Sequence, residues 1–433
     1  MLNSIAAAAN DDKIKGIYID CKGSTGGLAQ RYEVVDALKK FKKSGKWIVA
    51  YADSYAQADY YVASVADEMY LNPVGMVDIH GLSATTMFYK GLLDKLGVEM
   101  QIIKVGTYKS AVEPFILTQA SEASRLQQEV FLNNIWDCVG GSIADARDVS
   151  LDDVNEWADS LLLTYSPEQC LEDNVVDALK YRHEVESLLK DKVGLDENDD
   201  LRLITPDLYS MIADIPHAKR KDNRIAVLYA VGDIVDDGNS GIVASQLVPQ
   251  ILKLKENDKN DGLILRVNSG GGSAFASEQI WEALEQYKST GRPFYVSMSD
   301  YAASGGYYIS SGADVIYAEP VTLTGSIGIF GMIPCVKDLM NDKLGVTTDN
   351  VSTNANGDFP TLMQPMTPFQ RERMQREIDR GYETFVGRCA QGRNMPVDSI
   401  KAIAEGRVWD GRSALEIGLV DRLGTLSNAI EAM

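Results

Sequence analysis

The chain of 433 residues is long enough for two domains, each with a substantial hydrophobic core. Its net charge of −20 argues against nucleic-acid binding, because such binding needs Lys and Arg to neutralise phosphates. An apolar content of 45% is typical of a globular protein, and the sequence contains no run of 18 apolar residues that could cross a bilayer.

In chain order, strands alternate with helices in two similar series. The first series runs from the strand GIYID through a Gly-rich turn, the helix YEVVDALKKF and the strand WIVAYA to the short strand DEMYLN. The second runs from GLILR through a Gly-rich turn, SEQIWEALEQY and PFYVSM to DVIYAE. Helices are predicted to dominate 119–190 and 367–433. This order predicts βαβ crossovers, and therefore an α/β fold with parallel sheets and flanking helices.

The two series are copies of one another. KIKGIYIDCKGSTGG at 13 matches KNDGLILRVNSGGG at 259, and YADSYAQADYYVAS at 51 matches SMSDYAASGGYYIS at the same offset of 246 residues. We predict an N-terminal repeat over 1–193, an acidic linker over 194–222 and a C-terminal repeat over 223–433.

A lead-in strand, NRIAVLYAV at 223, precedes the second copy and has no counterpart before the first. We therefore expect the natural chain to extend at least about 25 residues further upstream. Any targeting or anchoring segment would lie in that extension, since MLNSIAAAANDD lacks the basic region of a signal peptide.

Two turns in the second copy could carry chemistry. DYAASGGYYISS at 300 places Ser304 between a strand and two glycines that leave room for an incoming carbonyl, although Ser is also a common helix N-cap. VNSGGGSAFASE at 267 follows a strand and opens a helix. Its Gly271 and Gly272 amides, together with that of Gly305, predict an oxyanion hole, and a flexible turn is the alternative interpretation. The glycine spacing of a phosphate-binding loop is missing, as is a GxSxG elbow.

A serine nucleophile needs a base, and histidine is scarce. His183 lies in a charged helix, His217 lies in the linker, and His80 aligns with Ile327 of the second copy, which favours a packing role. A lysine base is the natural alternative, because Ser-Lys pairs recur on unrelated folds.

The duplication indicates which lysine could act as the base. Ser304 aligns with Ala58 of the first copy, and Lys109, in VGTYKSAVEPF, aligns with Ala355 of the second. Each copy thus keeps one group, which predicts one site per chain, with its halves drawn from different lobes or from neighbouring subunits. A solvated surface lysine is the alternative for Lys109, and Lys104 is its competitor as base.

A lysine acts as a base only when it is uncharged, so its pKa must fall from about 10.4 to near neutrality. Burial without a carboxylate partner has this effect, whereas contact with the nearby Glu113 would oppose it. Ser326, in TLTGSIGIF, could hold the amine by a hydrogen bond or be an ordinary turn residue. The five cysteines lack metal-ligand spacing and are predicted to be buried apolar residues, and we expect neither a metal nor another cofactor.

Five segments resemble, in order, blocks of the bacterial signal peptide peptidase A family in its long, duplicated form: VGTYKSAVEPF, RVNSGGGSAFASE, SMSDYAASGGYYISS, TLTGSIGIFG and GLVDRLG. The resemblance covers essentially the whole chain and implies two tandem ClpP/crotonase-like repeats. It implies Ser304 as nucleophile, Lys109 as general base and Ser326 as the residue that orients the lysine. Gly270 stands where the family usually has Pro, so the oxyanion turn is expected to be less rigid.

The resemblance also implies a biological setting. Such enzymes degrade signal peptides left in the bacterial inner membrane, face the periplasm and are held by an upstream membrane anchor. It implies a homo-oligomer, which we expect to be a tetramer. Whether the dyad forms within one chain or across a subunit boundary stays open, as does the cleavage-site preference. A crotonase-like acyl-CoA enzyme that uses carboxylates and a non-catalytic scaffold are the rival interpretations.

Overall fold

A computed structural model describes residues 1–23, 25–213 and 224–433. These described residues form two compact units, one of 1–83 with 133–213 and one of 84–132 with 224–433. The segment 84–132, which belongs to the first sequence repeat, is therefore part of the same compact unit as the second repeat. The boundaries predicted from the sequence, 1–193 and 223–433 for the repeats and 194–222 for the linker, stay a prediction.

The described residues contain fifteen strands, most of them short: β1 (Gly16–Cys21), β2 (Trp47–Ala52), β3 (Glu68–Leu71), β4 (Glu99–Val105), β5 (Ala178–Leu179), β6 (Ile225–Val231), β7 (Ile234–Val235), β8 (Ile242–Val243), β9 (Gly262–Ser269), β10 (Phe294–Ala303), β11 (Val315–Ala318), β12 (Leu323–Gly325), β13 (Ile329–Cys335), β14 (Val408–Asp410) and β15 (Arg422–Leu423).

Seventeen α-helices occupy the same described ranges: α1 (Leu2–Asn10), α2 (Leu28–Lys42), α3 (Gln57–Ala63), α4 (Lys90–Leu96), α5 (Glu113–Ile116), α6 (Glu122–Arg147), α7 (Leu151–Asp159), α8 (Pro167–Glu172), α9 (Arg182–Val193), α10 (Pro206–Ile212), α11 (Ala244–Lys255), α12 (Ala274–Lys288), α13 (Gly305–Ser310), α14 (Pro368–Arg393), α15 (Val397–Ile403), α16 (Gly411–Glu416) and α17 (Leu426–Ala432). Within the described part of the chain, no helix has both the length and the apolar character needed to span a bilayer.

The first unit is built on a parallel sheet in the order β1-β2-β3-β5. The central strand β2 is buried from Ile48 to Ala52, as expected for a strand covered on both faces. Part of the predicted acidic linker folds here, because α10 lies against α1. Ser4 Oγ donates to the Pro206 carbonyl at 2.9 Å, and the Tyr209 hydroxyl donates to Asp11 at 2.9 Å.

The second unit is built on a mostly parallel sheet in which β9 lies between β6 and β10. Strand β10 has two partners along its other side. Its residues Tyr295–Ser297 pair with β11, whereas Tyr301–Ala303 pair with β12. Among the described strands of this sheet, only the short β14 runs antiparallel, alongside β12. The end of β10 is thus a point where the sheet divides.

A second, two-stranded sheet in this unit joins the two sequence repeats. Strand β4, from the first repeat, pairs antiparallel with β13, from the second, and Val105 lies opposite Ile329. The chain that follows β4 carries Lys109, and the chain that precedes β13 carries Ser326. This pairing brings the two segments together within one compact unit.

The predicted fold class is confirmed. Both repeats form parallel α/β sheets, and every strand of the two predicted series lies where the sequence placed it. The expectation of buried cysteines is confirmed for four of the five. All five are free thiols, four are buried and Cys21 is half-buried. The described residues include no group of three or more His, Cys, Asp or Glu side chains placed to hold a metal ion.

Candidate active site

Two serines follow directly after the paired ends of two parallel strands. Ala303, the last residue of β10, lies opposite Gly325, the last residue of β12. The next residues are Ser304 and Ser326, and the Ser304 N–H donates to the Gly325 carbonyl at 2.9 Å. Carboxyl ends of parallel strands are the usual location of sites in α/β proteins.

Ser304 has an unusual backbone conformation, with φ 54° and ψ −119°. A positive φ in a residue with a Cβ costs about 1–3 kcal/mol and persists only where the surrounding structure enforces it. Although Ser304 is the N-cap residue of α13, its side chain caps no helix amide. Its Oγ instead lies 3.0 Å from Lys109 Nζ. The interpretation of Ser304 as an ordinary capping serine is therefore wrong.

Lys109 is almost completely buried, with 4% of its surface exposed. Besides Ser304 Oγ, its Nζ contacts the Ser326 carbonyl at 3.0 Å and Ser326 Oγ at 2.9 Å. Ser326 also has a positive φ, of 52°. This conformation lets one residue present both its carbonyl and its hydroxyl to the amine. A solvated surface lysine is thus excluded.

Burial lowers the pKa of Lys109 from its ordinary value of 10.5 to about 8. The physical cause is loss of hydration, which disfavours the ammonium form. The carboxylate of Glu113 does not oppose this effect by contact, because it accepts hydrogen bonds from Ser121 Oγ at 2.7 Å and from the Ser121 N–H at 3.0 Å. A substantial fraction of the amine is therefore uncharged in mildly alkaline solution.

The same burial predicts that Lys109→Met stabilises the protein at neutral pH. A folded-state pKa below the unfolded value means that protonation favours unfolding, so this cost is fully present below about pH 8 and disappears as the pH rises towards 10.5. The expected gain at pH 7 is at most about 3 kcal/mol. Urea denaturation of both proteins at pH 7 and pH 10 measures it, with Lys104→Met as the control. An equal difference at the two pH values would contradict the prediction.

The glycine turn lies against Ser304. A Cβ built on Gly271 would be 2.6 Å from the Gly305 nitrogen and 2.8 Å from Ser304 Cβ, so only glycine fits there. The Gly271 N–H donates to Ser269 Oγ at 3.1 Å and is thereby occupied. Among the residues with described positions, no acceptor receives the N–H of Gly272 or of Gly305. Those two amides are therefore the free donors of the predicted oxyanion set.

We expect Gly271→Ala to lower kcat/KM about 100-fold or more, because the new methyl group would displace Ser304 or the Gly305 amide. Steady-state hydrolysis of a fluorogenic peptide measures the loss. Gly291→Ala is the matched control, since Gly291 also has a positive φ but no atom within 4 Å of the new methyl. Equal activities of the two variants would contradict the expectation.

The other candidates have different contacts or fall outside the described residues. His80, in the first unit, has 55% of its side chain exposed and contacts Asp78 at 2.9 Å, so the expected packing role is wrong. His183 is exposed and stacks on the Tyr181 ring, and His217 lies outside the described residues. Lys104 is a residue of β4, opposite Phe330.

The chain is similar in sequence to known peptidases. The family described as Peptidase family S49 matches twice, over 40–196 and 286–433, and the Clp protease family matches 219–317. The chain is 36% identical to Protease 4 of Haemophilus influenzae over 99% of this chain and 71% of that protein. It is 33% identical to an Enterococcus faecium protein named as a signal peptide peptidase, SppA, over 49% of this chain and 63% of that protein. A point mutant of ClpP1 from Listeria monocytogenes is similar in structure with a TM-score of 0.33 and 16% identity, covering 47% of this chain and 94% of that one.

These matches define the chain as a serine peptidase of the signal peptide peptidase type. It belongs to peptidase family S49. The rival interpretations as an acyl-CoA enzyme or a non-catalytic scaffold are therefore wrong.

Proposed function

We propose that this chain is a serine endopeptidase in which Ser304 is the nucleophile and Lys109 the general base, acting through an acyl-enzyme on signal peptides. One observation carries the proposal: Lys109 Nζ lies 3.0 Å from Ser304 Oγ, within one chain. The strained backbone of Ser304 and the burial of Lys109 support it independently. Nucleophile and base within hydrogen-bond reach, with the base held by a third group, is the arrangement of nucleophilic catalysis.

Acylation begins with an uncharged Lys109. Its Nζ accepts the Ser304 proton while Oγ forms a bond to the scissile carbonyl carbon, and the resulting oxyanion accepts hydrogen bonds from the Gly272 and Gly305 amides. The Lys109 ammonium then donates its proton to the leaving amine as the C–N bond breaks. In deacylation, Lys109 takes a proton from water, the hydroxyl attacks the ester, and the proton returns to Ser304 Oγ.

The amine suits both protonation states without rearrangement. An uncharged amine donates two hydrogen bonds and accepts one, which the Ser326 carbonyl, Ser326 Oγ and the Ser304 hydroxyl satisfy. After proton transfer the ammonium donates to the same three oxygens. Such preorganisation avoids reorganisation during the reaction, and Ser326 is the residue that provides it.

We expect Ser326→Ala to lower kcat/KM about 10- to 100-fold, because the amine keeps the carbonyl contact but loses the hydroxyl. Labelling of Ser304 by a fluorophosphonate should be slower but still occur. Ser310→Ala is the control, since its Oγ bonds only within α13, to the Gly306 carbonyl. An unchanged labelling rate in Ser326→Ala would exclude the orienting role.

The substrate part of the proposal has its own support. The Enterococcus relative is named as a signal peptide peptidase, and two aromatic side chains within three residues of Gly272 or Ser304 in the sequence are exposed, Phe275 by 68% and Tyr301 by 50%. These rings, close in sequence to Gly272 and Ser304, suit an apolar peptide. Cleavage after small or apolar residues is expected. Mass spectrometry of the products from a detergent-solubilised signal peptide and from a polar peptide of equal length tests this, and equal rates would contradict it.

We also propose the setting: a homo-oligomer, expected to be a tetramer, held at the bacterial inner membrane by an upstream anchor, with the catalytic part facing the periplasm. Its support is the resemblance to the signal peptide peptidase A family. Sedimentation velocity at micromolar concentration tests the assembly, with four chain masses expected and a monomer contradicting it. Fractionation of cells that express the natural gene tests the location.

A further inference from the structure

We propose that Gly406 and Gln127 are positioning residues that fix Lys109 against Ser304. Both lie in the unit that contains the dyad, and neither was identified from the sequence, where AEGRVWDG and the helix around residue 127 carry no catalytic pattern. The inference rests on the proposed dyad. It concerns residues that contact the loop around Lys109 and the segments packed against it, and not the reacting atoms.

The segment 405–408 is hydrogen-bonded both to the loop that carries Lys109 (106–110) and to the turn at 326–327. On one side, the Tyr108 N–H donates to the Glu405 carbonyl at 2.9 Å. On the other, the Gly406 N–H donates to the Ile327 carbonyl at 2.8 Å, and the Ser326 N–H donates to the Arg407 carbonyl at 2.7 Å. One short segment therefore sets the spacing between the base and the residue that holds it.

Gly406 makes this close approach possible. Its φ is +77°, and a Cβ at this position would lie 2.7 Å from Lys109 Cβ and 2.8 Å from Lys109 Cα and N. Real Cβ atoms do not approach other atoms so closely, so any side chain would force the lysine backbone to move. Gly328 is also close, since a Cβ there would lie 2.9 Å from Gly406 Cα and 3.3 Å from Lys109 Cδ.

Gln127, which is 3% exposed, bonds both to the loop that carries Lys109 and to the segment 405–408. Its Nε2 donates to the Tyr108 carbonyl at 3.1 Å and to Ser110 Oγ at 3.0 Å, one residue on each side of Lys109. Its Oε1 accepts the Val408 N–H at 3.1 Å. The lysine is thus held by its backbone neighbours, and not only by its amine.

The charged side chains on the segments packed around Lys109 contact groups other than its amine. Glu405 Oε2 accepts the Thr107 N–H at 3.4 Å, and the Arg407 guanidinium lies over the rings of Tyr108 and Trp409. Glu113 is hydrogen-bonded to Ser121. A displaced Lys109 would therefore gain water and become easier to protonate, and would not exchange one ion pair for another.

The test compares Gly406→Ala with Gly418→Ala, using the full pH profiles of kcat and KM. Gly418 is the matched control, because its φ of +79° imposes the same strain but the nearest atom to a Cβ is Met395 Sδ at 3.5 Å. Gly406→Ala is expected to lower kcat about 100-fold with little change in KM, and to move the alkaline rise in activity to higher pH. Gly418→Ala should keep the profile of the unmodified enzyme.

Gln127→Met, measured in the same way, is expected to lower kcat about tenfold and to shift the pH profile in the same direction. If Gly406→Ala does not fold, the result for Gln127→Met tests the positioning role by itself. Profiles of Gly406→Ala or Gln127→Met that coincide with that of Gly418→Ala would overturn the positioning role. Failure of the dyad itself is separate, because it would appear as activity retained by Lys109→Met.

Discussion

Ser304→Ala is expected to lower kcat/KM for peptide hydrolysis about 10⁴-fold or more while the protein stays folded. Removal of Oγ eliminates the atom that forms the acyl bond, and the methyl group left behind fits the same space. The Ser304 backbone is already held by its bond to Gly325, so its strained conformation does not depend on the hydroxyl. A fluorogenic peptide assay and circular dichroism measure the two properties.

Active-site labelling supplies the control for Ser304. A fluorophosphonate should label the chain of natural sequence once, at Ser304, and should leave Ser304→Ala unlabelled. Ser310→Ala, in the same helix-turn region, should be labelled at the normal rate. Labelling at another residue, or hydrolysis by Ser304→Ala at a tenth of the normal rate or faster, would contradict the proposed nucleophile.

The activity of the unmodified enzyme is expected to rise with pH through an apparent pKa of about 8, the value to which burial lowers the pKa of Lys109. Below that pH the amine is protonated and cannot accept the Ser304 proton, so kcat/KM should fall about tenfold for each pH unit. Above it the profile should level off. A rise centred near pH 6, typical of histidine, would contradict the lysine base.

Lys109→Met and Lys109→Arg should both be inactive, by about 10⁴-fold or more, at every pH. Met has no proton acceptor, and Arg stays charged throughout the accessible range. Lys104→Met, a change five residues away on β4, is the matched control and should keep the normal profile. Activity of Lys109→Met within tenfold of normal would remove Lys109 from the mechanism. Because Lys109→Met is also expected to be more stable at pH 7, unfolding cannot account for its loss of activity.

Part of the site could be predicted from residue types and the duplication. Ser304 and Lys109 stood out because each occurs in one copy and is replaced by Ala in the other, and glycines flanked the serine. Gly406 and Gln127 could not be found in this way. Their importance depends on backbone atoms that lie almost 300 residues apart in the chain, and periodicity and motif spacing carry no information on such contacts.

The sequence by itself determined the α/β class, the internal duplication, the strands in both copies and the residue types of a serine–lysine pair. These follow from local hydrophobic periodicity and from comparing one half of the chain with the other. Only the tertiary structure decided that the two groups meet within one chain, because the antiparallel pairing of β4 with β13 brings a segment of the first repeat into the unit of the second. It also decided the left-handed backbone of both serines, since local preference disfavours that conformation and long-range packing enforces it.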